Sequence, residues 1–176
     1  MELTGILLAG GASRRFGAPK ALALVEGQTL AQRAWELLGA TCDHRLAVGK
    51  HADRLPLGIP LVDDGTELRA PLAGIVAGLR AAPTDLCVVI PVDCPRLTPE
   101  LLHTLASTAR DAAVPQTGPL PCALRRSRVL AELERRLHAG ELRLRDAFAA
   151  LDSLVVQLPE ELLLNANTRS ELEQVA

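Results

Sequence analysis

Two short runs in this sequence are apolar at almost every position, Leu3 to Ala9 and Leu86 to Ile90. A strand with no polar face has no side to give to water, so it must sit in a sheet covered on both faces. The intervening sequence supplies the cover. Thr29 to Leu38 has helical periodicity with Thr29 as N-cap, and Leu72 to Ala81 and Pro99 to Ser107 read as further helices. His44 to Val48 and Leu57 to Val62 read as strands between them. A strand followed by a helix, repeated, implies parallel strands joined by right-handed crossovers.

The expected fold is therefore α/β, a single-domain Rossmann-like three-layer sandwich with a mostly parallel sheet. After Asp111 to Val114 the stretch Pro115-Gln116-Thr117-Gly118-Pro119-Leu120-Pro121 reads as a long loop rather than a domain boundary. Beyond it we expect helices at Ser127 to His138 and near Leu142 to Ala150, a strand at Ser153 to Leu158, and a last helix from about Thr168. One domain over 1–176 fits the length.

Composition removes several classes of function. Hydrophobic residues make up 48% and charged residues 23%, as in a globular chain. A net charge of -2, with two Phe, one Trp and no Tyr, leaves neither the charge to displace counterions from nucleic acid nor rings to stack on bases. No apolar run reaches the length of a membrane span, and Met1-Glu2 before a short strand is no secretion signal, so a cytoplasmic protein is expected. Cys42, Cys87, Cys94 and Cys122 lack C-x-x-C spacing and suit buried or incidental thiols.

In open parallel sheets ligands collect beyond the carboxyl ends of the strands. There lies Leu8-Ala9-Gly10-Gly11-Ala12-Ser13-Arg14-Arg15-Phe16-Gly17-Ala18-Pro19-Lys20. Gly10 and Gly11 let backbone N–H groups approach an anion, and Arg14, Arg15 and Lys20 can neutralise a triphosphate. It is not a Walker A loop, because Ala18 rather than Lys follows Gly17, and it lacks the G-x-G of the dinucleotide fingerprint. The same glycines could form only a tight turn. Asp93, in Pro91-Val92-Asp93-Cys94-Pro95 after the second apolar run, can hold Mg²⁺ against phosphates or can simply turn the chain and cap the next helix. Asp63-Asp64 ends the strand at Leu57 to Val62, and small residues at 73, 74, 77 and 78 allow close approach of a helix to the sheet or to a ligand. Asn165 and Asn167 could send two amides into a site or cap the last helix.

Taken in order, these segments, with Pro71-Leu72-Ala73-Gly74 and Asn165-Ala166-Asn167-Thr168, resemble the nucleotidyltransferases that make molybdenum cofactor dinucleotides, and the guanylyltransferase branch most closely. The resemblance implies a single nucleotidyltransferase domain, with nucleotide contacts at Leu8, Ala9, Gly10, Gly11, Lys20, Asp64 and Asp93. It also implies Mg²⁺ at Asp93, catalytic roles for Arg15, Lys20 and Asp93, and second-substrate contacts at Asn165 and Asn167. The implied reaction moves GMP from GTP to molybdenum-loaded molybdopterin, with transient contact with cofactor-synthesis proteins or molybdoenzyme apoproteins, and no nucleic acid or membrane partner. Transfer of CMP to the same pterin, transfer of a nucleotide to a sugar phosphate, and a nucleotide-binding domain without turnover remain the alternatives. Two departures from the family pattern stand out: Val48-Gly49-Lys50, where relatives often have an Asn, and Arg169, where a Pro is usual. His44, His51, His103 and His138 share no motif and receive no catalytic role.

Overall fold

The computed structural model describes residues 2–10, 18–166 and 168–175. In chain order the elements are β1 (Leu3–Leu8), β2 (Leu24–Val25), β3 (Gln28–Thr29), α1 (Leu30–Thr41), β4 (His44–Gly49), β5 (Leu61–Asp63), α2 (Pro71–Ala81) and β6 (Leu86–Pro91). They continue with α3 (Pro99–Thr108), β7 (Ala112–Pro115), β8 (Cys122–Arg125), α4 (Arg126–Ala139), α5 (Leu144–Ala149), β9 (Ser153–Val156) and α6 (Arg169–Val175). Among the described residues, seven strands form one sheet in the order β5-β4-β1-β6-β8-β7-β9. All run parallel except β8, which is antiparallel to both β6 and β7. Among the described residues, no helix is long and apolar enough to cross a membrane.

The two apolar runs behave as their composition demands. Leu3 and Leu7 of β1, with Leu86, Val88 and Ile90 of β6, pack on one face against Leu38 of α1 and Leu101, Leu102 and Leu105 of α3. Ile6 and Leu8, with Cys87 and Val89, pack on the other against Leu72, Ile75 and Leu79 of α2 and Val129 and Leu133 of α4. Alternation along each strand thus fills two cores, and helices on both faces make the three layers. Gly78 brings α2 down onto β1: a Cβ there would stand 2.6 Å from Ile6 Cγ2, and at Gly74 one would stand 2.9 Å from Leu8 Cδ2. The small residues of this helix serve packing, and Gly74 also lines the cleft described below.

Thr29 caps α1 as its sequence indicates, and reciprocally. Its Oγ1 accepts from Gln32 N–H at 3.1 Å while Gln32 Oε1 accepts from Thr29 N–H at 3.1 Å, a capping box worth about 1 kcal/mol. Several boundaries differ from expectation, α1 for one running on to Thr41. The strand at Leu57 to Val62 shrinks to Leu61–Asp63, because Pro56, Gly58 at φ 69° and Pro60 deny the preceding residues a continuous ladder. The strand from Ser153 ends at Val156 rather than Leu158. The expected loop starts one residue later, since Pro115 belongs to β7, and residues 116–121 connect a β7–β8 hairpin whose return strand Cys122–Arg125 lies beside β6. Cys87, Cys94 and Cys122 are buried and Cys42 is half-buried.

Candidate active site

Four parallel strands, β5, β4, β1 and β6, end on one side of the sheet, and backbone bonds join the carboxyl ends of the first three. Ala9 N–H donates to Val48 O at 2.9 Å, and Asp64 N–H donates to Gly49 O at 3.0 Å. Gly10 and Gly49 make the join close: a Cβ on Gly10 would lie 3.4 Å from Gly49 Cα. Above these ends opens a cleft of about 530 Å³, lined by residues of all four strand ends. Its walls include α2 at Pro71 and Gly74 and the hairpin loop at Thr117 to Leu120.

Most of the residues singled out from the sequence meet here. Leu8, Ala9, Gly10, Lys20, Asp64, Asp93 and Asn165 all line the cleft. Gly11, Arg14, Arg15 and Asn167 lie outside the described residues. At one end, Lys20 Nζ donates to Asp93 Oδ2 at 2.9 Å, joining residues 73 positions apart. Lys20 is held there by a single 3-10 turn, Lys20–Leu22, that Pro19 starts and buried Ala21 anchors. Asp93 follows β6, and its own carbonyl accepts from Ala166 N–H at 2.8 Å, which brings Asn165 to the same end.

Cys94, next to Asp93, lies against Asn165 with Sγ 2.7 Å from Oδ1. Burial pushes its thiol well above the usual range, so it stays protonated and donates to that amide oxygen. The Asn165 NH₂ is thereby turned away from the thiol.

At the other end stands a second lysine–carboxylate pair. Lys50 Nζ donates to Asp64 Oδ1 at 2.8 Å and to Oδ2 at 2.9 Å, with side-chain exposures of 11% and 8%. The neighbouring Asp63 has a different role. Its Oδ2 accepts from His51 N–H and its Oδ1 from Gly65 N–H, each at 2.7 Å, and these bonds hold its carboxyl below the usual range while fixing the turn. So of Asp63-Asp64 only the second lines the cleft.

At neighbouring-strand spacings of about 4.8 Å, the ends of β5 and β6 stand roughly 14 Å apart, which puts the two pairs at opposite ends of one trough.

Several lining residues carry no motif that sequence reasoning could use. Lys50 appears there only as a departure from a family pattern, and its pairing with Asp64 depends on β4 and β5 being neighbours. Arg69 donates to both Asp53 oxygens, at 2.7 and 3.2 Å, and holds that carboxyl below the usual range. Arg145 of α5 is exposed and lines the cleft without an ion pair among the described residues. A cleft with cations at its floor and rim and backbone N–H groups at its strand ends suits a polyanion with a flat, hydrogen-bonding end.

Three comparisons bear on this cleft. A family model described as the MobA-like NTP transferase domain matches residues 5–155. A molybdenum cofactor guanylyltransferase of Burkholderia vietnamiensis is 35% identical, over 99% of this chain and 96% of that protein. Two solved structures share the fold. The molybdopterin-guanine dinucleotide biosynthesis protein A of Archaeoglobus fulgidus superposes with a TM-score of 0.82 at 24% identity, covering 98% of this chain and 96% of the other. The 2-C-methyl-D-erythritol 4-phosphate cytidylyltransferase of Thermus thermophilus superposes with a TM-score of 0.76 at 18% identity, covering 99% and 97%. The family match over most of the sequence, and the identity over nearly all of it, agree with the cleft, and the chain belongs to the MobA-like NTP transferase family.

Proposed function

We propose that this protein transfers GMP from GTP to molybdenum-loaded molybdopterin, forming the guanine dinucleotide cofactor and releasing pyrophosphate. The observation that carries the reading is the cleft itself, where Lys20 and Asp93 sit 2.9 Å apart at one end and Asp64 at the other, with Leu8 to Gly10 between them. Full-length similarity to proteins named molybdenum cofactor guanylyltransferase supports the choice of substrates.

In this reading an acceptor phosphate oxygen attacks the α-phosphorus, the bond from that phosphorus to the bridging oxygen breaks, and pyrophosphate leaves with the electron pair. A phosphate monoester is already anionic near neutral pH, so catalysis falls to positioning and charge neutralisation rather than to a strong base. The backbone at Leu8, Ala9 and Gly10 takes the nucleotide, Asp64 the nucleoside, and Lys20 the triphosphate. Gly11 and Arg15, from the same loop in sequence, add to the phosphate contacts. Asn165, with Asn167, faces the acceptor, and Arg145 adds a cation to the cleft wall.

Mg²⁺ fits Asp93. Among the described residues no cluster of three His, Cys, Asp or Glu side chains could cage a metal, whereas Mg²⁺ is commonly held by one or two carboxylates and the substrate's phosphates. Bound there, it would neutralise charge on the triphosphate. Lys20 occupies one Asp93 oxygen and would have to turn toward the phosphates when the ion arrives. The protein is expected to work in the cytoplasm as one domain and to hand its product to a cofactor-synthesis protein or a molybdoenzyme apoprotein.

The test is pyrophosphate release with each NTP in turn, with and without molybdenum-loaded molybdopterin and Mg²⁺. Release that requires GTP, the pterin and Mg²⁺ together is expected. Release with CTP instead would move the assignment to the cytidylyl reaction, and no pterin-dependent release with any NTP would overturn it.

A further inference from the structure

A lysine beside a glycine in a nucleotide cleft invites a role as a phosphate ligand, and Gly49-Lys50 is such a pair. Its geometry points elsewhere. Lys50 Nζ donates to both oxygens of Asp64 and to the carbonyl oxygen of Thr66, which gives its three N–H groups three acceptors. Both side chains are nearly buried, and both sit at the β4–β5 end of the trough, two and three strands from β6 and Asp93.

The Asp64 carboxylate is correspondingly fixed. Oδ1 accepts from Lys50 and from Thr66 N–H at 3.2 Å, while Oδ2 accepts from Lys50. An ionised carboxylate oxygen has two lone pairs, so Oδ2 keeps an acceptor direction for a ligand N–H or O–H. Lys50 also cancels a negative charge that would otherwise face a polyanionic ligand across a poorly screened cleft.

We propose that Lys50 is a positioning residue, which presents the Asp64 carboxylate to the donor groups of the nucleoside and makes no contact with the triphosphate. This rests on the reading of Asp64 as the nucleoside contact. The two lysines of the cleft then divide the ligand between them, Lys20 serving the phosphates and Lys50 serving the nucleoside by way of Asp64.

The test is a set of variants, Lys50→Met, Lys50→Arg, Asp64→Asn and the double variant Lys50→Met with Asp64→Asn, each titrated with GTP and with guanosine by calorimetry. Lys50→Met should weaken guanosine about tenfold or more, because the lost contact is to the part the two ligands share, and should weaken GTP at least as much, since the bared Asp64 charge also repels the triphosphate. Lys50→Arg, which can still bind the carboxylate, should recover most of the loss. The double variant should bind like Asp64→Asn alone, since Lys50 has nothing left to position. It also removes both charges together, so it escapes the folding penalty of a lone buried carboxylate and can be read even if Lys50→Met does not fold.

Guanosine binding unchanged by Lys50→Met while GTP is weakened, or a double variant clearly weaker on GTP than Asp64→Asn, would overturn the proposal and make Lys50 a phosphate ligand. Should the wild type bind cytidine and CTP instead, the base assignment fails while the same comparison is made on that pair. Binding of no nucleotide by the wild type would overturn both readings.

Discussion

The cleft holds two lysine–carboxylate pairs that differ in how they are built. Lys20 and Asp93 come from segments 73 residues apart, meet through one carboxylate oxygen, and keep side-chain exposures of 16% and 20%. Lys50 and Asp64 are 14 residues apart on neighbouring strand ends, meet through both oxygens, and add the Thr66 carbonyl. The first pair is the more exposed and meets through a single oxygen, so it is the easier of the two to part. A closed pair whose donors are all placed can only hold shape. The same two residue types thus make a more open end and a more closed end of one trough.

Stability should separate the pairs most. Removing one partner of a buried pair leaves an uncompensated charge, at a cost of about 3 to 5 kcal/mol, so Lys50→Met should lower the unfolding free energy on that scale in urea titrations. Lys20→Met, at the more open pair, should cost well under that. Equal losses would mean that the two pairs do not differ as described.

Turnover should rank them the other way. Asp93→Asn should fold normally and lose a hundredfold or more in Mg²⁺-dependent rate, about 2.7 kcal/mol or more of transition-state stabilisation. A normal rate with a lowered melting temperature would instead make Asp93 a turn and cap residue. Lys20→Ala should weaken GTP by about 1.5 to 3 kcal/mol in calorimetric titrations and guanosine much less. Equal loss for the two ligands would mean that Lys20 acts through the fold.

The smallest effect is expected at Cys94, whose thiol donates to Asn165 Oδ1. Cys94→Ala should raise KM for the pterin by a few fold, about 1 kcal/mol or less, and leave KM for GTP unchanged. A change in KM for GTP of the same size would show that Asn165 does not belong to the acceptor end.

Much of this is legible in the sequence because it rests on local signals. Strands apolar at almost every position require two covered faces, and Leu3–Leu8 and Leu86–Pro91 are both central in the sheet. Strand-end position brings Leu8 to Gly10, Asp64 and Asp93 into one cleft. What stays hidden is short or non-local. The hairpin of β2 and β3 has two residues per strand, and its turn is Glu26-Gly27 at φ 50° and 82° rather than an Asn-Gly or Asp-Gly pair. Strand β8 spans only Cys122–Arg125 between Pro121 and a helix, too little for any periodicity. Lys50 belongs to the site only because β4 and β5 lie side by side, and no spacing along the chain encodes that pairing with Asp64.

Guanylyl transfer at this cleft can be decided by competition between GTP and CTP at equal concentration, with molybdenum-loaded molybdopterin as acceptor and the product identified by mass spectrometry. A guanine dinucleotide should dominate, and Asp93→Asn should slow its formation a hundredfold or more. A cytosine dinucleotide as the main product would contradict the guanylyl assignment, and a product level unchanged by Asp93→Asn would contradict the place of that residue in the transfer.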